Sequence, residues 1–209
     1  MATKIYQCIQ KIGEDIIENK DFLTDLDREI GDADHGVNMA RGFTEVLNQI
    51  PQDEEDISKV LKKVGMVLLS KVGGASGPLY GTAYMKAAAA VPGKTEITLE
   101  DGKEMLTAVI GGIKMRGKAE RGEKTMLDAL EPALEALTKG IENGDDVETC
   151  LNAMCEAARE GVEYTKTIRA TKGRASYLGD RSIGHQDPGA TSSTITLEAI
   201  RAFYLENIK

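Results

Sequence analysis

Apolar residues recur at steps of three and four along almost the whole chain, and this period decides what it can fold into. Ile5, Cys8, Ile9, Ile12 and Ile16 form one stripe, and Met39, Phe43, Val46, Leu47 and Ile50 a second. Ile57, Val60, Leu61, Val64 and Leu68 form a third, and the alanine-rich run from Pro78 to Ala90 stops at Pro92-Gly93. Leu106, Val109, Ile110 and Ile113 follow, with Thr98 as an N-cap and Asp101 three residues on. Leu127, Leu130, Leu134, Leu137 and Ile141 are stopped by Asn143-Gly144. Val147, Leu151, Met154, Cys155, Ala158 and Val162 make a seventh stripe. The eighth carries Ile195, Ile200, Phe203 and Tyr204, with Pro188 in its first turn. No segment keeps a period of two, so no strand is expected. The pattern predicts an all-α fold in one domain over 1–209: a closed barrel or bundle of about eight antiparallel amphipathic helices.

Composition narrows the function. The chain has 209 residues, 41% of them hydrophobic, enough for a core without disulfides. Its three cysteines are odd in number and form no CxxC pair, which reads as small buried hydrophobes in a reducing compartment. A net charge of −8 argues against nucleic acid as a partner, since polyanions need clustered Lys and Arg. The N-terminal segment has no apolar signal-peptide core, and no apolar run approaches the ~18 residues of a membrane span. A cytoplasmic location is expected.

Three stretches break the short-loop rule: 21–36, 114–124 and 170–187. Long connections in compact domains often carry function. Here they collect aspartates, arginines, glycines and both histidines. In LDREIGDADHGVNMARGF (26–43), Asp27, Asp32 and Asp34 offer three hard oxygen ligands within eight residues. Mg²⁺ takes few carboxylates, several waters and often a phosphate. The competing reading makes Asp32 and Asp34 caps of the helix that starts near Gly36. In GGASGPLYGT (73–82), glycines and Ser76 precede a helix, which presents bare N–H groups to an anion. GDRSIGHQDPGATSS (179–193) has a capped helix start at Asp187-Pro188-Gly189, and Arg174 and Arg181 nearby suit phosphate. The GxxxxGK match at Gly112–Lys118 lacks the following Ser/Thr and sits in a helical pattern, so it is no P-loop. His35 and His185 are the only histidines; each could contact phosphate or carry a phosphoryl group. If these segments meet at one end of the bundle, they make a Mg²⁺ and polyphosphate site that acts by positioning and charge neutralisation.

These motifs, with GEKTMLDAL (122–130), resemble in order and over essentially the whole chain the nucleotide-binding L subunit of dihydroxyacetone kinase. The resemblance implies a barrel of eight helices with ADP or ATP and two Mg²⁺ at one rim. Asp27, Asp32 and Asp34 would hold the metals. His35, Gly36, Val37, Asn38 and the Ser76-Gly77 turn would meet the phosphates. Gly117 and Met126 would line the adenine side, and Arg174 with Asp187, Pro188 and Gly189 would close over the nucleotide. No covalent intermediate on this subunit is implied. The partners would be a dihydroxyacetone-binding K subunit and a phosphohistidine-bearing M subunit that rephosphorylates bound ADP; in isolation the chain would be a homodimer or monomer. Its stand-alone length favours this phosphotransferase-system form. The alternatives are the L subunit of an ATP-dependent kinase of dihydroxyacetone or another small ketose or tetrose, and a histidine phosphocarrier.

Overall fold

The structure is a computed structural model and describes residues 2–208. Among these are nine α-helices and no strand: α1 (Lys4–Glu18), α2 (Lys20–Ile30), α3 (His35–Gln49), α4 (Ile57–Lys71), α5 (Ser76–Ala90), α6 (Leu99–Gly117), α7 (Leu127–Asn143), α8 (Val147–Thr167) and α9 (Pro188–Asn207). A 3-10 segment covers Arg174–Ser182. Local chemistry sets many of the ends. Thr98 and Asp101 close a reciprocal capping box on α6, Asp146 accepts the Thr149 N–H at the start of α8, and Gly144 ends α7 at φ 75°.

The apolar stripes dictate how these helices assemble, because each must be covered by a neighbour. α3, α4, α5, α6, α7, α8 and α9 pack in that order, and α1 closes the circle between α9 and α3. The stripes point inward, with Ile9, Ile12, Ile16, Met39, Phe43, Val60 and Leu127 at 2% exposure or less. Each such side chain contributes about 1.5–3 kcal/mol by leaving water. The ring is lined inside by an apolar pocket of about 550 Å³ that opens to the surface.

The ring accounts for the eight expected helices; α2 is a ninth. Residues 21–36 read as a loop in the sequence, yet Lys20–Ile30 is helical and packs outside the ring against α3 and α9. Its buried face is only Leu23, Asp27 and Ile30, too narrow and too acidic to register as a stripe. The other two long connections shorten as well. α6 runs on to Gly117, so Gly112–Gly117 is helix, and the loop is 118–126. The 3-10 segment occupies half of 170–187.

Candidate metal and phosphate site

α2 places Asp27 in its last turn, where the chain reverses through Gly31–Asp34 into α3. Ala33 takes φ 58° in this reversal, a left-handed conformation that costs a non-glycine residue about 1 kcal/mol. The strained turn brings oxygens of Asp27, Asp32 and Asp34 within 4.8 Å of one another. Asp27 is 8% exposed, and its carboxylate accepts the N–H groups of Asp34 (2.8 Å) and His35 (3.1 Å). The cap of α3 is therefore Asp27. Asp34 sits at the N-cap position but makes no side-chain capping bond, so the capping expectation for Asp32 and Asp34 is corrected. Gly36 is needed for close approach: a Cβ there would stand 2.0 Å from the Lys20 carbonyl oxygen of α2. Val37 is exposed on the same turn.

The turn between α4 and α5 lies beside this cluster. Gly74 has φ 63°, and a methyl placed on it would lie 3.8 Å from the Asp34 carboxylate and from Asn38 Nδ2. Gly77 approaches α4 so closely that a Cβ would meet the Val72 carbonyl at 2.3 Å. The N-terminus of α5, with its free N–H groups and partial positive charge, thus opens next to the aspartates. Arg41 fixes Asn38 by donating to its Oδ1 (2.7 Å) and anchors on the Lys71 carbonyl (3.0 Å). That turns the Asn38 amide N–H₂ toward Gly74. Gly117, at the end of α6, packs against Leu79 in the first turns of α5.

The third segment is the start of α9. Asp187 caps it by accepting the Ala190 N–H (2.7 Å), with Pro188 at the first helical position. The Asp187 carboxyl is pushed up to about 7, chiefly by burial, with the Ala190 N–H pulling it back and Asp128 raising it. Gly189 faces Met126, which is 5% exposed. Lys124 ties this turn down: its buried ammonium donates to the carbonyls of Thr165 and His185, while Thr165 Oγ1 accepts the Asp187 N–H (3.0 Å). Lys124 itself has φ 63°, and burial lowers its pKa. Asp128 holds the preceding loop by accepting the N–H groups of Gly122 (2.5 Å) and Thr125 (2.7 Å).

The three segments join through His35, which is 6% exposed. Its Nδ1 lies 3.0 Å from Ser76 Oγ and its Nε2 2.9 Å from Ser192 Oγ. Burial lowers its pKa to about 4, partly opposed by Asp27, so the ring is neutral near pH 7. Ser192 Oγ also meets Tyr80 Oη (2.6 Å) and donates to the Gly189 carbonyl (3.2 Å); Tyr80 Oη meets Ser193 Oγ (3.1 Å). Arg174 reaches the aspartates, with Nη2 2.9 Å from Asp32 Oδ2. His185 does not join His35; its Nδ1 lies 3.9 Å from Glu29. Arg181 is exposed.

Asp27, Asp32, Asp34, His35, Asn38, Ser76, Arg174, Asp187 and Gly189 thus come to one end of the ring. Sequence reasoning missed Arg41, Lys124, Asp128, Tyr80 and Ser192. Arg41, one helical turn after Asn38, and Asp128, three residues after Thr125, had local signals; Lys124, Tyr80 and Ser192 act through contacts between elements. The carboxylate set suits Mg²⁺, which takes oxygen ligands and leaves room for waters and phosphate.

Comparison with known proteins places the chain in a family. The sequence pattern described as the DAK2 domain matches residues 29–202. The PEP-dependent dihydroxyacetone kinase ADP-binding subunit DhaL of Escherichia coli is 46% identical over 199 residues, 95% of each chain. The PTS-dependent counterpart of Lactococcus lactis is 44% identical over 191 residues, 91% of each. A solved dihydroxyacetone kinase from C. freundii, in complex with AMP-PNP and Mg²⁺, superposes with a TM-score of 0.69 at 25% identity. The match covers 95% of this chain and 33% of that one. The chain belongs to the DAK2 domain family and, within it, to the group of ADP-binding subunits of dihydroxyacetone kinases.

Proposed function

We propose that this chain is a cytoplasmic Mg²⁺- and ADP-binding phosphotransfer subunit that works as one domain. In this reading a phosphohistidine on a separate M subunit rephosphorylates the bound ADP, and the phosphoryl group passes to dihydroxyacetone on a separate K subunit. The observation that carries the reading is the cluster of Asp27, Asp32 and Asp34 with the open N-terminus of α5 beside it. Bound Mg²⁺, taken as two ions, supplies charge neutralisation for the phosphates. The chain's own residues position the nucleotide. Asn38 Nδ2 and the N–H groups of Ser76 and Gly77 face the phosphate side as donors. Arg174 already stands at the aspartates and presents a planar guanidinium to phosphate. Gly189 lets the α9 turn lie close to Met126 on the side assigned to adenine, together with Gly117. The ring serves as the rigid frame that holds these groups to one geometry.

The test is direct. Purified protein should carry ADP, release it to EDTA, and fail to retain it as Asp32→Asn. Wild-type protein that binds neither ADP nor Mg²⁺ overturns the reading, and ADP that stays fully bound in EDTA overturns the metal bridge. For His35 the phosphocarrier alternative fits less well, because both its ring nitrogens already contact serine hydroxyls, and for His185 because its ring lies beside the Glu29 carboxylate, which repels a phosphoryl group. Acid-labile label on the protein after donor treatment would restore it.

A further inference from the structure

Hydrogen counting around His35 is unusually restrictive. Ser76, neutral His35, Ser192, Tyr80 and Ser193 each bring one hydrogen to the chain of contacts that ends on the Gly189 carbonyl. A carbonyl only accepts, so the Ser192 hydroxyl donates to Gly189. Ser192 then has only lone pairs for its other neighbours, so His35 Nε2–H and the Tyr80 hydroxyl both donate to it. Ser193 in turn donates to Tyr80. His35 Nδ1 is left as an acceptor, and its donor is the Ser76 hydroxyl. All five contacts are hydrogen bonds at once in this arrangement and in no other. It has a consequence at the rim: Ser76 spends its proton inward and shows only lone pairs outward, which suits a cation and repels an anionic oxygen.

We propose that a phosphate seated at Ser76 switches His35 from the Nε2–H to the Nδ1–H tautomer, making His35 a positioning residue that couples the α5 turn to the start of α9. The proposal rests on the nucleotide-binding reading above. With an anionic oxygen at Ser76, the Ser76 hydroxyl turns outward to donate to it. His35 Nδ1–H then donates to Ser76 Oγ, Ser192 turns its hydroxyl to Nε2, and the Gly189 carbonyl loses that donor. One proton leaves Nε2 and one arrives at Nδ1 by exchange with water, so no net proton is taken up and no charge appears on the ring. His35 is 6% exposed and both its ring nitrogens face uncharged hydroxyls, so the ring stays neutral and the change is confined to tautomers. The Tyr80 bond to Ser192 is the same in both states and holds Ser192 in place for either.

The experiment is ¹H–¹⁵N NMR of protein labelled at histidine nitrogens. His35 and His185 are the only histidines, so His185→Gln leaves one ring to observe. Protein stripped of metal and nucleotide by EDTA should show Nε2 protonated and Nδ1 bare. Saturating Mg²⁺ and ADP, with binding followed separately by calorimetry, should exchange the two signals; Mg²⁺ alone should leave them. Ser192→Ala removes the acceptor for Nε2–H, so its His35 should be protonated at Nδ1 with or without ADP. If that variant fails to fold, the wild-type spectra still decide. Calorimetric binding of ADP without a change of tautomer overturns the proposal and leaves the binding reading standing. Absence of ADP binding overturns both, and an Nδ1–H ring in the stripped protein overturns the proposal whatever ADP does.

Discussion

The three aspartates are predicted to differ sharply in what they do for stability, although all three belong to the same carboxylate cluster. Asp27 accepts two N–H groups at the start of α3, at 2.8 and 3.1 Å, and is 8% exposed. Hydrogen bonds to a charged group are worth about 1.5–3 kcal/mol each, and at the low end the pair comes to about 3 kcal/mol. A chain of this length loses about 2–4 °C of Tm per kcal/mol, so Asp27→Ala should melt about 6–12 °C below wild type. Asp32 has only its pair with the exposed Arg174, worth about 1 kcal/mol or less, so Asp32→Ala should fall by under about 4 °C. Either change relieves similar repulsion among the carboxylates, so comparing the two removes that contribution. Melting is followed by circular dichroism in EDTA after nucleotide removal, which keeps metal and ligand linkage out of the comparison. Both variants should lose Mg²⁺-dependent ADP binding. Equal melting temperatures for the two variants would refute the assignment of Asp27 as the cap of α3.

Gly36→Ala puts a methyl 2.0 Å from the Lys20 carbonyl; α2 must shift from α3, costing about 1–3 kcal/mol, and ADP affinity should drop with it, measured by urea unfolding and calorimetry. Lys124→Met strips the ammonium from the Thr165 and His185 carbonyls, with an expected loss of about 2–3 kcal/mol and weaker ADP binding, while Lys124→Arg should not restore it because the larger fork does not fit a site 2% exposed. Asp187 has a folded-state pKa raised from 3.8 to about 7, so the native chain holds that proton more tightly than the unfolded one. Its contribution to stability therefore falls as pH rises through that window and is level above it. Asp187→Asn should remove this slope, seen as a Tm difference from wild type that changes inside the window and is constant above it.

The 3.6-residue period determined the eight helices and left a bundle or a closed barrel open; the helix-to-helix packing closes the ring. Eight stripes needed eight covering neighbours, and the eight helices with those stripes are the ones that close it. The carboxylate and glycine motifs were equally legible, because metal and phosphate chemistry needs particular residue types at close spacing. α2 was not legible, since a helix with Leu23 and Ile30 as its only fully apolar buried residues owes its existence to packing against α3 and α9. Nor was the division of labour among the aspartates: spacing treats Asp27, Asp32 and Asp34 alike, while the fold buries one as a cap and leaves another paired with Arg174. His35 was legible as a phosphate contact or phosphoryl carrier, but not as the side chain that joins the three segments. Its partners come from α5 and α9, the latter 157 residues away in sequence, and no local pattern encodes a contact that closure of the ring creates. The sequence set which chemical groups the chain brings to the rim; tertiary packing decided which protons and carboxylates remain free to act there.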